Sequence, residues 1–275
     1  MAWFTNRRGE RLWYEDGGNG YPVVLIHGWC MSSAVWKYQY DELGAFCRVL
    51  APDVRGHGSS RGSTGDVDFS HFAQDLVDLC EYLDLGGVVL VGWSMGAQIA
   101  LQAYGALEKR LAGLVLVSAT PRFTASEEFP FGLKITEAQG MKLKVQRHLE
   151  RAVTGFHTRL FAEGELERHS SGGELQELLA RIPLPDRATV LEGLDSLIGA
   201  DMRGMLGNID VPVLLITGDH DRICLPGASR FLKEQIKNSE IVTFADAGHV
   251  PFMTERGQFN RELSCFIRRV CEQKS

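Results

Sequence analysis

The stretch Gly92-Trp93-Ser94-Met95-Gly96 constrains the fold of this chain more than any other segment. It follows the apolar run Val88–Val91, which predicts a buried strand, and it precedes Ala97–Ala103, which predicts a helix. A Gly-x-Ser-x-Gly turn between a strand and a helix holds the serine in a strained conformation, with its hydroxyl exposed above the sheet. The segment therefore predicts Ser94 as a nucleophile; the alternative is a tight turn that carries no chemistry.

A serine nucleophile needs a general base, and the base needs an acid that orients it. Asp221 comes shortly after the strand-like run Val211–Gly218, and His249 comes shortly after the run Ile241–Phe244. Catalytic groups of open parallel sheets gather at the carboxyl ends of the strands. We therefore predict that Ser94 attacks, that His249 moves the proton, and that Asp221 holds the imidazole in the required tautomer.

Two backbone N–H groups are needed to stabilise the oxyanion that such an attack produces. The Met95 N–H, directly after the nucleophile, is the first candidate. The second should come from the loop that follows an early strand. The run Val23–Ile26 predicts that strand and His27-Gly28-Trp29 the loop, so the backbone N–H of Trp29 is the second candidate. His27 is then a structural residue of the loop.

Apolar strands alternate with amphipathic helices along most of the chain. Examples before Ser118 are the strand Val49–Asp53 and the helix Phe72–Leu83, and the alternation resumes at Val211. This order predicts an α/β fold with a mostly parallel sheet and helices on both faces. We divide the chain into a first core part (1–120), a helical insertion (121–207) and a second core part (208–275).

The insertion contains no strand-like run and predicts three helical segments, Leu143–Phe161, Glu174–Arg181 and Arg187–Ile198. Because it follows a strand whose carboxyl end should lie at the site, we interpret it as a lid that controls access of the substrate. The alternative is a helical appendage with a structural role only.

Composition excludes several classes of protein. The formal net charge of −6 does not favour a nucleic-acid binder. No run of eighteen apolar residues predicts a membrane span, and the first ten residues lack the core of a signal peptide. The six cysteines form no Cys-x-x-Cys pair and are interpreted as free thiols, with Cys30 and Cys224 as packing residues near the site. We expect a cytoplasmic monomer with no metal and no cofactor.

These motifs resemble the α/β-hydrolase superfamily across the whole chain, which implies an α/β-hydrolase fold with an inserted helical lid. Within it, four segments are similar to the pimeloyl-[acyl-carrier protein] methyl ester esterases of biotin synthesis. The segments are His27–Trp29, Gly92–Gly96, Ser118–Pro130 and His249–Phe252, and the third is the most specific. The resemblance implies a serine carboxylesterase that hydrolyses the methyl ester of pimeloyl-acyl-carrier protein through an acyl-enzyme, with the carrier protein as its partner.

The resemblance also ranks the rival catalytic residues. In such hydrolases the second aspartate of a Gly-Asp-x-Asp segment usually supplies the acid, which favours Asp221 over Asp219. The order Ser, Asp, His of this fold disfavours His27 and His57, which precede the serine. His220 remains a rival base.

The resemblance further implies that lid residues contact the substrate and its carrier. Phe156, together with Trp29 and His249, is the expected set of substrate-binding residues. Arg151 and Arg168 are the expected contacts to the acidic carrier protein; further basic residues lie nearby in the sequence, namely Lys142, Lys144, Arg147 and Arg159. The alternative interpretation of these basic residues is a solvated helix face.

Other activities remain open on the same triad. A general carboxylesterase or thioesterase acting on small acyl esters is the main alternative, followed by a carbon–carbon hydrolase or a lyase. Dehalogenases and epoxide hydrolases are disfavoured because they need an aspartate at the position of Ser94. A non-enzymatic interaction protein is disfavoured because all three triad residues are present.

Overall fold

A computed structural model describes residues 2–62, 66–169 and 172–272 of the chain. Across these residues the strands form one eight-stranded sheet in the order β1-β2-β4-β3-β5-β6-β7-β8. The strands are β1 (Ala2–Thr5), β2 (Arg11–Gly17), β3 (Tyr21–Ile26), β4 (Cys47–Pro52), β5 (Val88–Trp93), β6 (Leu111–Val117), β7 (Val213–Gly218) and β8 (Ser239–Phe244).

The sheet is parallel from β4 to β8, whereas β1 and β2 pair antiparallel with each other and β2 pairs antiparallel with β4. Every residue of β5, β6 and β7 is buried. Because successive side chains of a strand point to opposite faces, burial of every position means that both faces of the sheet are covered. The predicted mostly parallel sheet with helices on both faces is confirmed.

The helices of the core connect these strands. Within the described residues α2 packs against α3, and α1 packs against α11. The core helices are α1 (Lys37–Leu43), α2 (Phe69–Tyr82), α3 (Met95–Leu107), α9 (Pro226–Gln235), α10 (Pro251–Thr254) and α11 (Arg256–Glu272).

The segment 121–207, interpreted above as a lid, contains α4 (Ile135–Arg147), α5 (Leu149–Arg159), α6 (Glu165–Arg168), α7 (Gly172–Arg181) and α8 (Arg187–Gly199). The prediction of one helical segment over Leu143–Phe161 was wrong in its extent. His148, at φ −149° and ψ 81°, is not helical and separates α4 from α5. The break was not predicted because the sequence carries no Gly or Pro at this point to mark the end of a helix.

The N-terminus also differs from the predicted alternation of strands and helices. β1 and β2 form a hairpin without an intervening helix, with Ala2 opposite Tyr14 and Thr5 opposite Arg11. Asn6 holds the turn, because its side-chain Oδ1 accepts the N–H groups of Arg8 and Glu10. The hairpin forms one edge of the sheet, beside β4.

Candidate active site

Ser94 lies between β5 and α3 in a conformation that few residues adopt. Its backbone has φ +55° and ψ −115°, a combination that costs free energy for any residue with a Cβ. Its N–H donates to the carbonyl oxygen of Val117 (3.0 Å), and its own carbonyl accepts from Ala97 N (3.0 Å). The strain is held by hydrogen bonds on both sides of the turn, as expected for a serine presented to a substrate.

Two glycines make this turn sterically allowed. A Cβ at Gly96 would collide with the carbonyl oxygen of Ile26 on the neighbouring strand β3, and a Cβ at Gly92 would collide with the Gly96 carbonyl oxygen and Ala97. Both contacts are to backbone, which cannot move aside as a flexible side chain could. The glycines that flank Ser94 are therefore required by the close approach of β5, β3 and α3.

Asp221 and His249 meet although 28 residues separate them. His249 Nδ1 lies 2.7 Å from Asp221 Oδ2, and both side chains are fully buried. The other oxygen, Oδ1, accepts the N–H groups of Ile223 (2.8 Å) and Cys224 (3.0 Å). An ionised aspartate accepts hydrogen bonds and donates none. The arrangement therefore favours the tautomer of His249 with its hydrogen on Nδ1, which leaves Nε2 as an acceptor.

The rival acid and bases lie elsewhere. Asp219 is exposed, and its carboxylate is 3.9 Å from the Nε2 atom of His220, itself exposed. His27 and His57 are fully buried and face each other with ring centroids 5.4 Å apart. His27 Nε2 accepts the N–H of Val54, which gives it a structural role.

The His249 backbone is fixed on both sides. Its N–H donates to the carbonyl oxygen of Leu160 (2.7 Å), and its carbonyl accepts from the indole Nε1 of Trp93 (2.9 Å). Among the described residues, its buried Nε2 atom has no hydrogen-bond partner. Burial, together with the neighbouring charge of Asp221, raises the pKa of the Cys224 thiol well above its usual value, so this cysteine stays a neutral thiol.

The expected oxyanion donors are Met95, directly after Ser94 in the chain, and Trp29, on the loop after β3. That loop approaches Ser94 closely, since a Cβ at Gly28 would lie 3.5 Å from Ser94 Cβ and 3.1 Å from the Trp93 ring. Neither the Met95 N–H nor the Trp29 N–H donates a hydrogen bond to another described residue. Both residues are buried, and their role as oxyanion donors stays a prediction.

The side chain of Trp29 reaches under the segment 121–207. Its indole Nε1 donates to the carbonyl oxygen of Val190 in α8 (3.0 Å), and its ring meets Phe156 of α5 edge-on at 5.0 Å. Both rings line a cavity of about 460 Å³ formed mainly by α4 and α5. The structure thus brings the two aromatic residues expected to bind substrate into one wall.

The same cavity carries a cluster of basic side chains. Lys144, Arg147 and Arg151 line it, and none of the three forms a salt bridge with another described residue. Two neighbours differ: Lys142 pairs with Asp195 of α8, and Arg159 pairs with Glu137 of α4 at 2.6 Å. We call Lys144, Arg147 and Arg151 the cationic groove.

Arg168, which is expected with Arg151 to contact the carrier protein, does not line this cavity. It is on α6, outside the lining of the cavity, and its guanidinium donates to the backbone carbonyls of Glu163 (3.0 Å) and Asp246 (2.7 Å). Arg147 lines the cavity together with Arg151. Arg147 lies in a predicted helical segment and Arg168 lies outside all three, and neither position says which side chains meet the cavity.

Sequence reasoning missed a residue that contacts the loop of His249. Glu165 of α6 is 1% exposed, and it accepts the N–H of Gly248, the residue before His249. A glutamate in a short charged segment is normally solvated, so no sequence pattern signals the burial of this one.

Within the described residues no group of three or more His, Cys, Asp or Glu side chains is arranged to hold a metal ion. The described helices include none with the length and apolar character that crossing a bilayer requires.

Known proteins are similar to this chain over nearly its whole length. Residues 21–256 match a family described as alpha/beta hydrolase fold. The chain is 29% identical over 259 residues to a pimeloyl-[acyl-carrier protein] methyl ester esterase of Nitrosospira multiformis, covering 94% of this chain and 98% of the relative. It is 30% identical over 252 residues to a protein of the same name from Nitrosomonas europaea, covering 92% and 96%. An esterase from Exiguobacterium antarcticum superposes with a TM-score of 0.89 at 26% identity, covering 97% and 99%.

Proposed function

Since this chain belongs to the alpha/beta hydrolase family and is a carboxylic ester hydrolase, we propose that it cleaves the methyl ester of pimeloyl-acyl-carrier protein by a Ser-His-Asp mechanism. The observation that carries the proposal is the cationic groove, which leads to Trp29 and Phe156. An acidic carrier protein would meet unpaired positive charge there, although the chain as a whole carries a net charge of −6.

The proposed chemistry follows from the geometry. Ser94 Oγ attacks the ester carbonyl carbon while His249 Nε2 takes its proton. Asp221, 2.7 Å from Nδ1, stabilises the imidazolium that forms. The N–H groups of Met95 and Trp29 donate to the tetrahedral oxyanion. His249 then gives its proton to the departing methoxide, which leaves as methanol. Water, activated by His249 in turn, cleaves the acyl-enzyme and frees the carboxylate and Ser94.

The names of the relatives support the choice of substrate. The proteins from Nitrosospira multiformis and Nitrosomonas europaea are both named for an ester on an acyl-carrier protein. In this chain the segment 121–207 supplies the cationic groove and the Phe156 wall, which fits the proposed lid role. The cytoplasmic location and the monomeric state stay predictions.

The test compares two substrates on charge-reversed variants. Arg147→Glu with Arg151→Glu should lower kcat/KM for pimeloyl-acyl-carrier protein methyl ester roughly 10- to 100-fold, because steering of an acidic partner is lost. Hydrolysis of p-nitrophenyl acetate should change little, because the change leaves the triad intact. Arg181→Glu is the matched control, since Arg181 lies on α7 with its side chain 80% exposed and outside the cavity lining.

Salt provides an independent check. The difference in kcat/KM for the carrier substrate between wild type and the groove variant should shrink as the salt concentration rises. The reason is that the Debye length falls from about 10 Å at 0.1 M to about 3 Å at 1 M. Equal kcat/KM of the groove variant and the Arg181→Glu control on the carrier substrate would refute the carrier-protein role. Full activity of Ser94→Ala on either ester would refute the proposed mechanism itself.

A general esterase for small acyl esters is the second candidate. The similarity to the esterase from Exiguobacterium antarcticum favours it. Activity against p-nitrophenyl esters of graded chain length separates the two candidates. A general esterase should hydrolyse its best small ester with a kcat/KM at least as high as that for the carrier-bound methyl ester.

A further inference from the structure

Glu165 is a buried carboxylate that accepts three hydrogen bonds. Its Oε2 atom accepts the N–H of Ala162 (2.6 Å) and the N–H of Gly248 (2.9 Å), and its Oε1 atom accepts the hydroxyl of Thr254 (2.7 Å). The described residues contain no salt bridge to it. A buried carboxylate needs such donors to replace water, so Glu165 is fixed in position by the groups that it binds.

These bonds span the loop that carries His249. Gly248 is the residue before His249, and Thr254 ends the short helix α10 that follows it. Leu160 holds the same loop from the same segment, because its carbonyl accepts the His249 N–H. Packing there is close: a Cβ at Gly248 would lie 2.6 Å from the Leu160 carbonyl oxygen. Leu160 and Glu165 therefore hold the backbone around His249 in place.

The same segment continues from the wall of the cavity. α5 carries Arg151 and Phe156, both lining the cavity, and it ends directly before Leu160. A displacement of α5 would move Leu160 and, through it, the loop of His249. The structure thus provides a short physical connection from the groove to the catalytic base.

We propose that Glu165 is a positioning residue, which holds His249 in line with Ser94 and ties the loop of His249 to the end of α5. The proposal rests on the function proposed above, in which His249 is the general base. Displacement of a catalytic group by about 1 Å can cost about 100-fold in rate without loss of the fold. Glu165 therefore contributes to turnover without touching the substrate.

The variants separate positioning from simple stabilisation. Glu165→Met fills the same space but leaves the N–H groups of Ala162 and Gly248 without an acceptor. Glu165→Gln keeps a carbonyl oxygen for these N–H groups and turns its amide toward Thr254, whose hydroxyl can accept as well as donate. Glu167→Met is the control, since Glu167 is exposed on the same helix.

We expect Glu165→Met to lower kcat for p-nitrophenyl acetate about 10- to 100-fold, with KM within roughly twofold of wild type. Glu165→Gln should recover most of that loss, and Glu167→Met should match wild type. The rate of Ser94 labelling by a fluorophosphonate should fall in parallel in Glu165→Met, and the pH at which its activity is half-maximal should shift. A residue that merely stabilised the fold would lower the unfolding temperature but leave these readouts unchanged at 25 °C.

A folded Glu165→Met enzyme with wild-type kcat and pH profile would overturn the proposal. If that variant does not fold, Glu165→Asp decides, because its shorter side chain cannot reach all three donors at once. It should lower kcat and alter the low-field proton resonance of the hydrogen bond between Asp221 and His249; wild-type values of both would refute the positioning role. Ser94→Ala distinguishes the two proposals. If Ser94→Ala is active, the proposed mechanism is refuted. If Ser94→Ala is inactive but Glu165→Asp behaves like wild type, only the positioning role is refuted.

Discussion

Acid should destabilise this protein through two buried histidines, His27 and His57. The hydrogen bonds of His27 require the neutral ring: Nδ1 faces the Gly28 carbonyl at 2.8 Å, and Nε2 accepts the N–H of Val54 at 2.9 Å. A proton on Nε2 would place two donors against each other. His57 Nδ1 contacts the Arg55 carbonyl at 3.0 Å. Burial lowers the pKa of both rings to about 4, and for His57 the neighbouring His27 contributes to this lowering.

The size of this destabilisation follows from the difference in histidine pKa between the folded and the unfolded state. An exposed histidine titrates near 6.5, so between pH 6.5 and about 4 the unfolded chain binds more protons than the folded one. The stability that the neutral rings contribute is therefore complete above pH 6.5 and is lost as the pH falls toward 4. At about 1.4 kcal/mol per pKa unit, each ring accounts for about 3 kcal/mol. One ring alone is therefore a sizeable part of the total stability of many domains, about 5–15 kcal/mol.

Urea unfolding at a series of pH values from 5 to 8 measures this loss. His57→Asn should reduce the slope of the unfolding free energy against pH by about 1.4 kcal/mol per pH unit, which corresponds to one proton. Asparagine can keep a donor toward the Arg55 carbonyl but cannot titrate. His220→Asn, at an exposed position, is the control. A wild-type free energy of unfolding that stays constant from pH 7 to 5, or an unchanged slope in His57→Asn, would refute the reasoning.

Two further predictions concern the site and its turn. Asp221→Asn should lower kcat roughly ten-thousand-fold because the imidazole takes the wrong tautomer, whereas Asp219→Asn should cost far less; steady-state kinetics showing the reverse ranking would move the acid to Asp219. Gly96→Ala should prevent native folding, because its Cβ meets the Ile26 carbonyl, while Gly105→Ala on the exposed side of α3, with open space around it, should stabilise by about 0.5–1 kcal/mol in thermal unfolding. Equal stabilities of the two variants would contradict the packing argument.

Several features could be predicted from local sequence because local physics determines them. The strand, turn and helix around Ser94 depend on glycine spacing and apolar periodicity within about fifteen residues, and the α/β-hydrolase fold that they predict is confirmed. The order of Ser94, Asp221 and His249 along the chain was readable in the same way. Their role in catalysis stays a proposal.

Contacts between segments that are distant in the sequence were decided only by the tertiary structure. Two aspartates follow β7, and only the folded chain shows that Asp221 meets His249 while Asp219 faces solvent. Arg147 and Arg168 are both basic residues of the segment 121–207, yet Arg147 lines the groove and Arg168 donates to backbone carbonyls. Glu165 is buried because the loop of His249 offers it donors 83 and 89 residues away. Periodicity reports which face of an element is apolar, but the partner of a polar side chain is fixed by how the elements pack together.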